Sequence, residues 1–136
     1  MIRVMASPDV ARYAALAVGG FQVLANGALL ARGLTRIPAE ILKESATPRI
    51  ANVLRTSWIY GVLANLCVSG LLLLIAPALG RAEPLAQRVA LVIAAYYLAV
   101  GVATFSFAPG RQHGLLVFSL LGAVLAAAVL LSKLTP

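Results

Sequence analysis

The amino-acid sequence predicts an all-α integral membrane protein, a four-helix bundle threaded up-down-up-down. Three observations predict it. The 136-residue chain is 62% hydrophobic and 11% charged, whereas a soluble domain carries about a quarter charged residues. The charges are also clustered. None falls between Arg12 and Arg32, Arg55 and Arg81, Arg88 and Arg111, or Arg111 and Lys133. Each gap is close to the roughly 20 residues a helix needs to cross a bilayer. Finally, runs such as "LCVSGLLLLIAPAL" and "LVIAAYYLAVGVA" are apolar on nearly every side. The strands of a membrane barrel would alternate apolar with polar. A helix satisfies its own backbone hydrogen bonds inside lipid.

The whole chain, residues 1–136, reads as one domain with spans at about 12–32, 55–78, 86–108 and 113–133. The first span opens at "SPDVAR", with Ser7 as the cap, Pro8 in the first turn and Asp9 at the positive helix end. Asp9 and Arg12 separate the start from the apolar run, so the segment reads as a helix start rather than a signal peptide. The connection that follows is the longest. It contains "IPAEILKES", a short amphipathic pattern in which Ile41 and Leu42 oppose Glu40, Lys43 and Glu44.

Thr47 and Pro48 form a second cap-and-proline start. A helix from Pro48 to Ala76 is roughly 43 Å long, more than the hydrocarbon thickness, so its first turns protrude. The second connection, "LGRAEPLAQR", is short, and the third turns at Pro109-Gly110. Short connections make successive helices antiparallel neighbours. Basic residues fall almost evenly on both sides, and the density in the first connection favours that side as cytoplasmic, with the termini outside.

Each span carries a stripe of small and polar residues at helical spacing. These are Ala15, Gly19, Gln22, Asn26 and Gly33; Trp58, Gly61, Asn65 and Ser69; Ala90, Tyr97, Gly101, Thr104 and Ala108; and Ser119, Gly122, Ala123 and Ala126. Small residues let helices approach in lipid, and amides or hydroxyls bond across them. The stripes are therefore expected to face one another or a partner. The same groups are the candidates for a ligand site: Gln22, Asn26, Asn65, Tyr97 and Thr104 would line an amide-rich interior able to orient a lipid or quinone. A second candidate, for a lipid head group, is "RIANVLRTSW", with Arg49, Asn52 and Arg55 at the membrane surface. The opposing reading there is two snorkelling arginines beside a belt tryptophan.

Absent residues narrow the function. No acidic or basic residue lies deep in a span, whereas ion-coupled transporters place one at mid-membrane. Small multidrug exporters, also of four spans, rely on a glutamate in the first helix that is missing here. The single cysteine, Cys67, rules out an intrachain disulfide and a CxxC pair. The single histidine, His113, rules out bis-histidine haem within one chain and an ordinary zinc site. No cofactor or metal is expected. The net charge of +7 sits at span edges, where it anchors to anionic lipid rather than binding nucleic acid. Membrane-embedded eicosanoid and glutathione enzymes share the four-span layout and an Arg/Asn-bearing second helix. Their acidic neighbour of the asparagine and their third-helix arginines have no counterpart in this chain.

The functional expectation is a non-enzymatic membrane protein acting by helix–helix association, as a homo-oligomer or an accessory subunit. The alternative is a binder or transporter of a neutral or lipidic molecule in the bundle interior. A third reading is a lipid- or glutathione-dependent enzyme centred on Arg49, Asn52 and Arg55. The Ala, Leu, Val and Arg bias points to a GC-rich bacterial gene and an inner membrane.

Overall fold

The structure, a computed structural model, describes the backbone of residues 8–35, 47–107 and 113–133, and the side chains of 9–32, 47–103 and 116–133. The described residues form four helices: α1, Pro8–Thr35; α2, Pro48–Gly80; α3, Pro84–Phe107; and α4, His113–Ser132. The all-α class is as expected. Three helices are long and apolar enough to cross a membrane: Asp9–Arg32, Pro48–Gly80 and Pro84–Ala103. The described part of α4, Leu116–Ser132, is a shorter apolar helix. Ser7, the amphipathic pattern at residues 38–44 and the Pro109-Gly110 turn lie outside the described residues, as does the side chain of His113.

α2 begins where the sequence places it. Thr47 Oγ1 accepts a hydrogen bond from the Ile50 backbone N–H at 3.4 Å, capping one otherwise orphaned donor, and the Thr47 carbonyl accepts the first intrahelical bond, from Ala51. The helix has 33 residues, about 50 Å at the α-helical rise. It continues through Pro77 to Gly80, although Pro77 has no N–H to offer the preceding turn.

The helix then closes in a Schellman motif. Glu83 N–H reaches the Ala78 carbonyl at 3.1 Å and Ala82 N–H reaches Leu79 at 3.0 Å. The left-handed residue of this motif is Ala82, with φ 55°, not the nearby glycine. Gly80 has a different task. The aliphatic stem of Arg12 lies across it, and a methyl group there would come within 2.9 Å of Arg12 Cδ.

Two compact units divide the chain: residues 1–18 with 71–136, and residues 19–70. In the first unit, α3 and α4 run antiparallel in close contact. Gly122 sits against the Ala94 carbonyl and Leu98, while Gly101 sits against Ser119. As numbers rise along α3 they fall along α4. Both glycines are sites of close approach. A methyl group on Gly122 would lie 2.7 Å from the Ala94 oxygen, and one on Gly101 would overlap the Ser119 side chain. The Tyr97 and Phe118 rings meet beside this seam at 6.1 Å, tilted by 49°, a geometry worth ~0.5–1.5 kcal/mol beyond burial.

The core of this unit is built from small residues. Ala11, Ala15, Ala76 and Ala90 are fully buried, with Leu72, Leu79, Tyr97, Leu125 and Val129 filling between them. Large aliphatic residues face outward: Leu74 is 80% exposed, Leu85 73% and Val92 69%. Large-out, small-in packing is what helices adopt when the surroundings are as apolar as leucine.

In the second unit, Gly19, Gln22 and Asn26 on α1 and Val62 and Ser69 on α2 are buried. The stripe expected on α1 is therefore correct from Ala15 to Asn26, and that on α3 from Ala90 to Gly101. On α2 and α4 the stripes are buried only in part: Ser69 and Gly122 are buried, whereas Gly61 and Ala123 are exposed. Val62 and Leu72 share the buried line on α2, and Leu125 and Val129 that on α4.

The close approaches and the left-handed turn make three substitutions informative. Gly122→Ala forces a backbone carbonyl aside and lowers stability by about 1–3 kcal/mol. Gly70→Ala, where a methyl group meets nothing within 4 Å, raises it by up to about 1 kcal/mol. Ala82→Gly relieves a left-handed alanine and, after glycine's unfolded-state entropy is subtracted, raises stability by about 0.5–1 kcal/mol. Thermal unfolding in detergent, followed by circular dichroism, checks all three.

Candidate functional site

Gln22 and Asn26 lie one turn apart on α1, and each is 1% exposed. Asn26 Nδ2 donates to both the Gln22 backbone carbonyl and Gln22 Oε1, at 2.8 Å each. The amides thus bond to each other along one helix. Their orientation is fixed by this pattern. Turning the Asn26 amide would set its oxygen against the Gln22 carbonyl, acceptor against acceptor, and turning Gln22 alone would set donor against donor. Gln22 Nε2 is therefore the group left over. Among the described residues nothing accepts from it, and it is closed to water. A buried donor without an acceptor costs about 1–3 kcal/mol.

The other candidates fall elsewhere. Asn65 is half-buried on α2, and its backbone carbonyl accepts from Ser69 Oγ at 2.6 Å. Tyr97 is fully buried in the unit formed by residues 1–18 and 71–136, against Tyr96 and Phe118. Thr104 lies on α3, but its side chain is outside the described residues. Of the expected interior set, the structure joins Gln22 to Asn26 by hydrogen bonds and places Asn65 in the same unit.

Arg49, Asn52 and Arg55 are all exposed at the start of α2. A concavity of ≈ 330 Å³ is lined there by Asn52, Val53, Thr56, Ser57 and Tyr60. It includes the asparagine and neither arginine. Helical geometry accounts for Arg55, since it lies about 100° around the helix from Thr56. Trp58 is half-buried beside them.

Two features were not singled out by the sequence. Gln87, in the first turn of α3, is 8% exposed. The second is a groove of ≈ 500 Å³ lined by Val10, Tyr13, Ala14 and Ala17 of α1 and Val124, Ala127, Ala128 and Leu131 of α4. Pairing between distant helices leaves no periodic signal. Among the described residues no group of three or more His, Cys, Asp or Glu is placed to hold a metal.

Comparison with protein-family models, with curated proteins and with solved structures finds no match.

The amide pair predicts an asymmetry. Asn26→Leu strips Gln22 Oε1 of its donor and leaves both ends of a buried amide unpaired, costing about 1–3 kcal/mol. Gln22→Leu removes the orphan donor, and Asn26 Nδ2 keeps the backbone carbonyl at position 22, so stability is unchanged or higher. The double substitution costs less than Asn26→Leu alone. Unfolding of the three variants in one detergent reads the order directly.

Proposed function

We propose that the chain is an integral membrane protein that crosses the bilayer four times, up-down-up-down, and acts by helix–helix association. It does so as a homo-oligomer or as an accessory subunit of a membrane complex, with the bacterial inner membrane as its location. The observation that carries this reading is the outward face of α2. Val53, Thr56, Tyr60, Ala64 and Cys67 recur at steps of three and four residues, and all are exposed. Steps of three and four repeated along a helix make the seam by which helices pack together. This seam carries small and hydroxyl-bearing side chains, and Gly61 beside it has open space where a Cβ would stand. A face meant only for lipid tails needs neither hydroxyls nor gaps.

A second reading, binding or transport of a neutral or lipidic molecule by the amides, has one observation in its favour. Gln22 Nε2 is a donor that lacks an acceptor, which suits a carbonyl or hydroxyl oxygen. Because that atom is closed to water, such a ligand would have to open the packing around it. The enzyme reading at Arg49, Asn52 and Arg55 gains only a concavity that leaves out both arginines.

Cys67 is exposed on the seam and reports association directly. Mild oxidation of native membranes is expected to give a disulfide-linked dimer that reducing agent dissolves and Cys67→Ala abolishes. Ala64→Leu, which blocks the seam, lowers its yield at least several-fold. A chain that stays uncrosslinked and flies as a monomer without partner subunits in gentle native mass spectrometry would overturn the association reading.

A further inference from the structure

The helices fix which basic residues share an end. In the unit formed by residues 1–18 and 71–136, the stem of Arg12 lies across Gly80, so the start of α1 stands beside the turn that joins α2 to α3. α4 runs antiparallel to α3 and returns to that end. Arg12, Arg81, Arg88 and Lys133 are carried there, all exposed. α1 and α2 are continuous helices of 28 and 33 residues. Their opposite ends carry Arg32, Arg49 and Arg55, also exposed. Among the described residues the count is therefore four against three.

The other basic residues of the sequence keep the balance. Arg3 precedes α1, Arg36 and Lys43 lie between α1 and α2, and Arg111 lies between α3 and α4, which makes five against six. The acidic residues divide evenly too, with Asp9 and Glu83 at the first end and Glu40 and Glu44 at the other. Glu83 is held by Arg81 at 2.7 Å. Each end also has aromatic residues of the kind that sit at a membrane interface. Tyr13, 62% exposed, has the Arg12 guanidinium 5.9 Å from its ring centre. Trp58 and Tyr60 follow Arg55 within two turns.

A membrane protein is oriented by a surplus of Lys and Arg on the cytoplasmic side, counted over short connections and span ends. The connections here, residues 36–47, 81–83 and 108–112, are all short. Neither end has the surplus that would hold it in the cytoplasm.

We propose that the chain inserts in both orientations, with the turn between α2 and α3 facing the cytoplasm in some molecules and the opposite compartment in others. A surplus of one cation amounts to roughly a fivefold preference, which leaves about a sixth of the molecules in the minor orientation. Both compartments then meet both ends of the same chain. The proposal rests on the bilayer insertion inferred above and not on the α2 seam.

The test uses the full-length chain in bacterial membranes with Cys67→Ala as background. Asn52→Cys and Ala82→Cys are introduced one at a time, at exposed positions near opposite ends of α2. Intact cells are treated with a membrane-impermeant maleimide, and permeabilised cells give the total. Each cysteine is expected to label in part from outside, and the two fractions add up to the whole. Arg81→Gln with Arg88→Gln drives the Ala82→Cys position outward, shifting the ratio on the order of 25-fold. Arg49→Gln with Arg55→Gln shifts it the other way by a similar factor.

Full labelling of one cysteine and none of the other shows a single fixed orientation and overturns the proposal. A mixed population whose ratio neither pair of substitutions moves overturns it as well, since charge then does not set the orientation. Two cysteines on the same side, both labelled in full or both only after permeabilisation, show that α2 does not cross the bilayer. In that case the insertion reading fails and takes the proposal with it.

Discussion

The first unit depends on how closely α3 and α4 approach. Where Gly122 meets the Ala94 carbonyl and Gly101 meets Ser119, no side chain fits between the helices. That distance sets the rest. It brings Tyr97 and Phe118 ring to ring and lets Leu125 and Val129 be fully buried among the core alanines, Leu72 and Leu79. It also fixes the antiparallel register that returns the end of α4 to the start of α3. In an apolar solvent, helices gain little by hiding leucine from one another and much by fitting closely. The exposed leucines and buried alanines both follow from that condition.

Much of this was legible in the sequence. Four charge-free windows gave four helices, because charge is the costliest group to leave in an apolar layer. The Thr47-Pro48 start was legible because capping depends on local chain chemistry alone. The α1 stripe could be read from Ala15 to Asn26 because polar residues in an apolar helix seek burial. On α2, Ser69 is buried and Gly61 exposed, because smallness alone does not specify burial. Val62, one residue on, occupies the buried line instead. The groove of Ala14 and Ala127 was hidden, since it depends on two helices more than a hundred residues apart. The left-handed residue at the α2 terminus is an alanine, which composition alone does not mark. Gly80 was free to take it, but the contact with Arg12 needs its bare backbone, and the turn places the strain on Ala82.

Several polar residues bond along their own helix. Asn26 spends its donor group on the helix turn before it. Ser69 bonds to the Asn65 carbonyl and Ser132 to that of Val129. Such local bonds cancel the cost of a hydroxyl or amide in apolar surroundings without naming a partner. Interhelical polar contacts in membranes average only about 0.6 kcal/mol, so steric fit is left to carry specificity. Gln22 is the exception. Its Nε2 is buried and has no acceptor among the described residues, a cost that local bonding does not cancel.

The two kinds of surface left open on the chain follow from the same division of labour. Where α1 and α4 carry alanine outward, the surface is a smooth apolar groove. Where α2 carries hydroxyls, a cysteine and a neighbouring glycine outward, the surface is stepped, with knobs and gaps at helical spacing. A stepped surface of this kind suits a rigid helix, since only a partner with its own fixed side chains can fill gaps spaced three and four residues apart.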